Sequence, residues 1–229
     1  MTKRDDFASA NVQGLLDRFP YYLSVFDEQT PFRRAGQLEL HVATLQLRAK
    51  RGSASSAIDD QDFLKSLYGA LQAWGIGRRG SILVPFDQFS ERLWAQRSAF
   101  SSLDGQMIDD PKLDVGRVVA AVRLLVDTLG IVENKAPLVA HSKAIHHILP
   151  DLVAPIDRAY TRPFFGWYPN QFQAGQRVAV EEVLRAYHHI AVGVGGLGEH
   201  MNGGWRTARS KLLDNAVVGY CLAHDLKRG

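Results

Sequence analysis

The chain contains 229 residues, of which 46% are hydrophobic and 22% charged, and it carries a formal net charge of +3 at pH 7. This length and apolar content suffice for a buried core and exclude a disordered tail. No window reaches the roughly 18 uninterrupted apolar residues of a membrane span, and the first residues, MTKRDDFASA, lack the apolar run of a signal peptide. We therefore expect a cytoplasmic protein with no membrane partner.

Helical periodicity dominates the chain. Apolar side chains recur every three or four residues, most regularly in DVGRVVAAVRLLVDTLG (114–130), where Asp114 is placed to cap the helix start and Gly130 to end it. The best alternating pattern, typical of a strand, is GSILV at 80–84. The sequence predicts an all-α protein with helices at about 9–26, 37–49, 62–75, 86–99, 114–130, 139–149, 177–193 and 207–224.

Two motifs resemble ligand sites but lack the context that those sites need. Gly193, Gly195 and Gly198 have the dinucleotide-binding spacing, yet a predicted helix precedes them where that fingerprint requires a strand. A loop that presents backbone N–H groups to a phosphate fits them better. The histidines of HSKAIHH (141–147) are five residues and one residue apart, a spacing that does not place metal ligands on one helical face.

The cysteine content limits cofactor chemistry. A single cysteine, Cys221, excludes a disulfide within the chain, a cysteine-rich zinc site and a four-cysteine iron–sulfur cluster. Because it stands between Tyr220 and Leu222, we expect it to be a core thiol. We expect no metal and no cofactor.

Local basic clusters favour an anionic partner, although solvated basic faces are common and leave the alternative open. The clusters are Arg33 with Arg34; Arg48, Lys50 and Arg51; Arg78 with Arg79; and Arg206, Arg209 and Lys211.

The stretch HSKAIHHILPDLVAPIDRAYTR (141–162) begins as a helix and ends in charged residues. The helix should end at Leu149 because Pro150 cannot continue its hydrogen bonding. LVAPI (152–156) would then cross the core in extended form, and a new helix would begin at 158–162 with Asp157 as its N-cap. Asp157 is therefore either a capping residue or a functional carboxylate.

The run from Leu138 to Arg162, about 25 residues, resembles the second helix and catalytic segment of the helix-hairpin-helix DNA glycosylase superfamily. Asp157 follows Ala140 by seventeen residues, and Asp157, Tyr160 and Arg162 fit the family pattern D-x-x-h-x-R. The resemblance implies one functional unit over 1–229 with two helical lobes around a cleft, and a hairpin and catalytic segment at about 113–165. It also implies a monomer that acts on double-stranded DNA.

The sequence departs from the family at the hairpin and at the nucleophile. The family hairpin reads L-P-G-V-G, whereas residues 133–137 contain no glycine, so Lys135 would have to supply charge to the phosphate. A Schiff-base lysine would stand eighteen or nineteen residues before Asp157, where Val139 and Leu138 are found. Lys143 is the nearby amine and remains a candidate catalytic residue, although its helical position predicts a different direction for its side chain.

The resemblance implies a monofunctional glycosylase that removes a modified or damaged base, in DNA repair or in defence against phage with modified DNA. Asp157 would stabilise the oxocarbenium-like transition state and activate water. A flipped base would stack in a pocket formed by Phe164, Phe165, Trp167 and Tyr168. DNA phosphates would contact Lys135, Arg162, Arg206, Arg209 and Lys211. A non-enzymatic DNA-binding module and an RNA-directed or toxin-like protein are the alternatives.

Overall fold

The structure, a computed structural model, describes residues 2–77, 81–133, 137–169, 172 and 175–226, and its helices confirm the predicted all-α class. Lys135, Arg78 and Arg79 lie outside the described residues. In chain order the helices are α1 Lys3–Asp17, α2 Phe19–Gln29, α3 Gln37–Arg51, α4 Ala54–Ile58, α5 Gln61–Ala73, α6 Phe86–Ala95, α7 Arg97–Leu103, α8 Val115–Thr128, α9 Leu138–Ile148, α10 Thr161–Phe164, α11 Gln176–Val194 and α12 Arg209–Ala223, with a 3-10 turn at Leu197–His200 between the last two.

Two predicted helices are each divided in the structure. The helix predicted at 9–26 breaks at Arg18, and Pro20 then occupies the first turn of α2, where its missing N–H costs no hydrogen bond. The helix predicted at 86–99 breaks at Gln96, between α6 and α7. The strand-like stretch forms only an isolated antiparallel bridge, between Leu83 and Val132.

The central packing is the crossing of α2 and α12. Twelve consecutive residues of α12, Ser210 to Cys221, are buried, so this helix lies inside the protein rather than on its surface. Gly219 allows the close crossing, since a Cβ there would lie 1.9 Å from the carbonyl oxygen of Tyr22. Helices α3 and α5 form a second close pair, as do α8 and α11.

The segment after α9 positions the carboxylate singled out in the sequence. Helix α9 ends at Ile148, and the following residues 152–156 are buried, as predicted. The chain then emerges at Asp157, which is half-buried. No helix in the described part of the chain combines the length and hydropathy of a membrane span. The two-lobed arrangement and the helix-hairpin-helix relationship stay predictions.

Candidate functional site

A cavity lies between α3, α5, α9 and α12 and is lined by three of the candidate residues predicted from the sequence, Lys143, Asp157 and Lys211. It encloses about 370 Å³ of empty space including its mouth, of which about 50 Å³ is available to the centres of water molecules. Its wall carries two lysines and two aspartates among aromatic rings. The lining residues are Phe32, Gln37, Trp74, Lys143, Pro155, Asp157, Trp205, Lys211 and Asp214.

Asp157 both ties down the backbone and lines this cavity. Its Oδ1 accepts hydrogen bonds from the backbone N–H groups of Tyr160 (2.7 Å) and Thr161 (3.3 Å), while the Thr161 hydroxyl accepts from Asp157 N (3.0 Å). Helix α10 begins at Thr161 with Tyr160 as N-cap, so the predicted helix start at 158 was wrong by three residues. Oδ2 accepts no hydrogen bond from the described residues, which leaves one carboxylate oxygen for the cavity.

Lys143 reaches the same cavity, which corrects the expectation that its side chain points elsewhere. It projects from α9, and its Nζ donates to the carbonyl oxygen of Trp74 at 3.2 Å. Burial lowers the pKa of Lys143, and the nearby carboxylates of Asp157 and Asp214 oppose that effect. A lysine with a lowered pKa beside a carboxylate in a cavity marks a candidate reactive site.

Lys211 was predicted to contact DNA phosphate, but only 1% of the residue is exposed. Its Nζ donates to Asp214 Oδ2 at 2.5 Å, one turn further along α12. Four aromatic rings surround the ammonium group, with their centroids 5.0 to 5.8 Å from Nζ. Burial raises the pKa of Asp214, and the Lys211 charge opposes that rise. The pair belongs to the cavity wall.

A chain of histidines lies against this wall. His147 Nδ1 must donate to the carbonyl oxygen of Lys143 (2.8 Å), because a carbonyl only accepts. In neutral rings, His147 Nε2 then accepts from His41 Nδ1 (3.0 Å), and His41 Nε2 accepts from the hydroxyl of Thr207 (2.9 Å). The ring of His41 also contacts Trp74 and Trp205, at centroid distances of 5.0 and 5.6 Å. The histidines therefore hold both tryptophans and the Lys143 turn in place.

These rings form no recognisable metal site. In the described residues, no group of three or more histidine, cysteine or acidic side chains is arranged to hold a metal ion. Cys221 is buried, as the sequence predicted, and burial raises the pKa of its thiol.

The four aromatic residues predicted to form a base pocket do not line the cavity. Phe164, Phe165 and Trp167 are buried in the core, where the rings of Phe165 and Trp167 stack at 4.8 Å. Trp167 Nε1 donates to Glu182 Oε2. Tyr168 is 69% exposed. The aromatic wall of the cavity comes instead from Phe32, Trp74 and Trp205.

The arginines predicted to bind DNA are already engaged in the protein. Arg206 pairs with Asp27 at 2.5 Å, and Arg209 pairs with Asp109 at 3.1 Å. Arg162 is buried, with 7% exposed. At the start of α12, the backbone N–H of Arg209 also has a partner within the protein, since it donates to Asp151 Oδ1.

Other basic residues border the cavity and are exposed. Arg33 and Arg34 lie in the loop between the lining residues Phe32 and Gln37, and Arg158 follows Asp157. Arg34 is near enough to Lys143 for its charge to lower the lysine pKa. The Arg33–Arg34 cluster is visible in the sequence, but no motif joins it to Asp157.

The buried histidines predict a steep loss of stability in acid. Burial lowers the pKa of His141 and of His147 to about 4 and moves the pKa values of His41 and His146 in the same direction. As the pH falls below about 6.5, the unfolded chain gains protons at these sites and the folded protein does not. The free energy of unfolding should therefore fall by about 1.4 kcal/mol per pH unit for each such histidine, until the pH nears 4.

Urea denaturation between pH 7.5 and 4.5 measures this slope. His141→Asn preserves a donor to the carbonyl oxygen of Val126, which His141 Nδ1 contacts at 2.7 Å, and removes the titrating ring. The slope of the unfolding free energy against pH should be smaller in the variant by about 1.4 kcal/mol per pH unit, which is the contribution of one proton. Identical slopes in the two proteins would contradict the assigned role of His141.

Comparisons of the chain with protein-family models, with curated proteins and with solved structures found no match.

The cavity itself defines a class of site: a small, aromatic-walled pocket with a fixed carboxylate at one side and basic residues around its opening.

Proposed function

We propose that the protein is a monofunctional DNA glycosylase that hydrolyses the N-glycosidic bond of a modified or damaged base, with the Asp157 cavity as its active site. The observation that carries the proposal is that Asp157 and Lys143 line one cavity together with the aromatic rings of Phe32, Trp74 and Trp205. A flipped base needs a pocket with stacking surfaces. Cleavage of its glycosidic bond also needs a fixed negative charge beside the sugar.

Asp157 supplies that charge. As the base departs, positive charge develops on the sugar, and a carboxylate held in place stabilises it without reorganisation. The hydrogen bonds from Tyr160 and Thr161 hold Oδ1, so Oδ2 can face the sugar or orient the attacking water. Holding the backbone at 160–161 and catalysis are therefore compatible roles, carried by different oxygens of one side chain.

Trp74 and Trp205 provide the stacking surfaces in place of the aromatic cluster at 164–168. Their ring centroids are 6.2 Å apart and the rings are tilted by 47°. Because only about 50 Å³ is available to water centres, a base enters only if the wall moves. Trp205 lies just after Gly203 and Gly204, whose positive φ angles place it on a turn rather than on a helix.

The exposed arginines beside the cavity are the proposed phosphate contacts, and salt dependence tests them. Arg34→Gln with Arg158→Gln should weaken binding to all duplexes alike. The slope of log K against log salt should flatten by about 0.9 for each lost contact. Fluorescence anisotropy of a labelled duplex at several salt concentrations measures both effects.

The matched control is Arg206→Gln with Arg209→Gln. It removes the same charge from arginines that already pair with Asp27 and Asp109, so the salt slope should not change. If only this second pair changes the slope, the phosphate-binding surface lies at the start of α12 and not at the cavity.

Formation of abasic sites tests the proposed activity. A duplex that contains one substrate base should lose that base and keep an intact strand, which breaks only after alkali is added. Strand breaks without alkali, with a borohydride-trapped adduct that disappears in Lys143→Met, would make Lys143 a nucleophile and the enzyme bifunctional. Binding without loss of any base would favour the non-enzymatic DNA-binding module.

A further inference from the structure

Once Asp157 Oδ2 is assigned to the sugar or to the attacking water, the cavity wall contains more unpaired hydrogen-bond donors than unpaired acceptors. Each lysine ammonium has three N–H groups. Lys143 uses one for the carbonyl oxygen of Trp74, and Lys211 uses one for Asp214 Oδ2. Gln37 adds an NH₂ group, since its Oε1 already accepts from Arg34 N. Among the described residues no acceptor pairs with the remaining N–H groups.

The acceptors in the wall are largely occupied. Asp157 Oδ1 takes two backbone N–H groups, and Asp214 Oδ2 takes the Lys211 ammonium. One oxygen of each carboxylate remains. A buried donor without an acceptor costs free energy, so a complementary ligand has to bring acceptors of its own.

The two lysines differ in their freedom to meet such a ligand. Lys211 is held by Asp214 and by the four rings around its ammonium group. Lys143 has one hydrogen bond, to Trp74, on a long flexible side chain, and its residue is half-buried at the wall. Lys143 is therefore the donor that can turn towards a ligand atom.

We infer that the cavity selects a neutral, planar base that carries an exocyclic carbonyl group, and that Lys143 is the specificity-determining donor to that oxygen. This inference deepens the proposed function and rests on it. An exocyclic amino group would place N–H groups against the ammonium of Lys143, leaving donors on both sides unpaired. A cationic base such as N1-methyladenine also presents an exocyclic amino group, so it meets Lys143 with the same mismatch of donors.

The other wall residues do not favour a simple anion. The two lysines and two aspartates of the wall balance in formal charge, so the cavity offers a phosphate or sulfate no net attraction. The tryptophan rings provide flat surfaces that suit a ring and not a tetrahedral ion. A neutral carbonyl-bearing ring satisfies the donors without adding charge.

Hypoxanthine and adenine are a matched pair of probes, because they differ mainly by a carbonyl against an amino group at one position. Titration of each free base into the full-length protein, followed by saturation-transfer NMR, should show hypoxanthine binding about 10-fold or more tightly than adenine. Lys143→Met keeps an apolar stem and should abolish that preference. Lys65→Met, at an exposed position on α5, should retain it. Equal binding of the two bases, or no binding of either, overturns the inference without reference to any variant.

Duplex substrates separate this inference from the proposed function. Duplexes with one deoxyinosine should lose the base, and duplexes with one N1-methyladenine, which is cationic, should not. Release of the cationic base alone would contradict the inferred preference for a neutral carbonyl-bearing base, but it would support the proposed glycosylase activity. If the wild-type protein binds hypoxanthine but releases no base from any duplex, the proposed glycosylase activity is wrong. The inferred preference for a neutral carbonyl-bearing base would still be supported.

Discussion

Asp157→Asn should lower the rate of base release by about 10²–10³-fold, the loss typical when one preorganised electrostatic group is removed from an active site. Asparagine keeps an oxygen at the Oδ1 position, so the hydrogen bonds from Tyr160 and Thr161 persist and the negative charge alone is removed. An amide oxygen accepts backbone N–H groups as a carboxylate oxygen does. The free energy of unfolding and the affinity for DNA should therefore change little. Single-turnover base release, urea denaturation and duplex anisotropy measure the three quantities.

Two further variants separate the backbone contacts of Asp157 from catalysis. Asp157→Ala removes the charge and also the acceptor of the Tyr160 and Thr161 N–H groups, and it should lose the same activity as Asp157→Asn plus about 1 kcal/mol of stability. Asp114→Asn is the matched control. The carboxylate of Asp114 caps α8, with its Oδ1 accepting a hydrogen bond from Arg117 N (3.0 Å), and Asp114 does not line the cavity. That variant should keep full activity. Undiminished base release by a folded Asp157→Asn protein would leave Asp157 with a structural role only.

Most helices were predictable because the patterns that specify a helix, apolar spacing and capping residues, lie within one short stretch of sequence. The periodic apolar positions of 114–130 and the capping carboxylate of Asp114 are visible in the sequence, and the structure has α8 there with that cap. The break at Gln96 was not predictable, since no glycine or proline marks it. Pro20 did mark the break between α1 and α2. The prediction of one continuous helix at 9–26 followed the regular spacing of apolar residues and did not use this proline.

The candidate site was only partly predictable because its walls come from distant segments. Asp157 and Lys143 are close in the sequence, and the resemblance drew attention to both. Trp74 and Trp205 follow no motif that links them, and only the packing of α3, α5, α9 and α12 brings them together. Lys211 looked like a surface cation because a basic stretch precedes it. The spacing of Lys211 and Asp214, three residues apart in a helix that is mostly apolar after Asn215, was the available signal for a buried ion pair.

The crossing of α2 and α12 is the contact on which the cavity depends most, because α12 carries both Lys211 and Asp214. A methyl group on Gly219 would lie 1.9 Å from the carbonyl oxygen of Tyr22, 2.8 Å from its carbonyl carbon and 3.2 Å from Phe26 N. These are backbone atoms, so no change of rotamer can relieve the overlap and α2 must move. Overpacking that shifts backbone costs about 1–3 kcal/mol and occasionally more. We place Gly219→Ala at or above the upper end of that range.

Gly69→Ala is the matched control, since Gly69 lies within α5 and the nearest atom to its added Cβ would be Leu40 Cδ2 at 4.0 Å. There the substitution reduces the conformational freedom of the unfolded chain without a clash and should stabilise the protein by about 0.5–1 kcal/mol. Urea denaturation followed by circular dichroism should thus move the two alanine variants in opposite directions from the wild type. Displacement of α12 should also disturb the Lys211–Asp214 pair, so any folded Gly219→Ala protein should bind hypoxanthine more weakly than Gly69→Ala does. Equal stability of the two variants would show that α2 and α12 do not approach each other this closely.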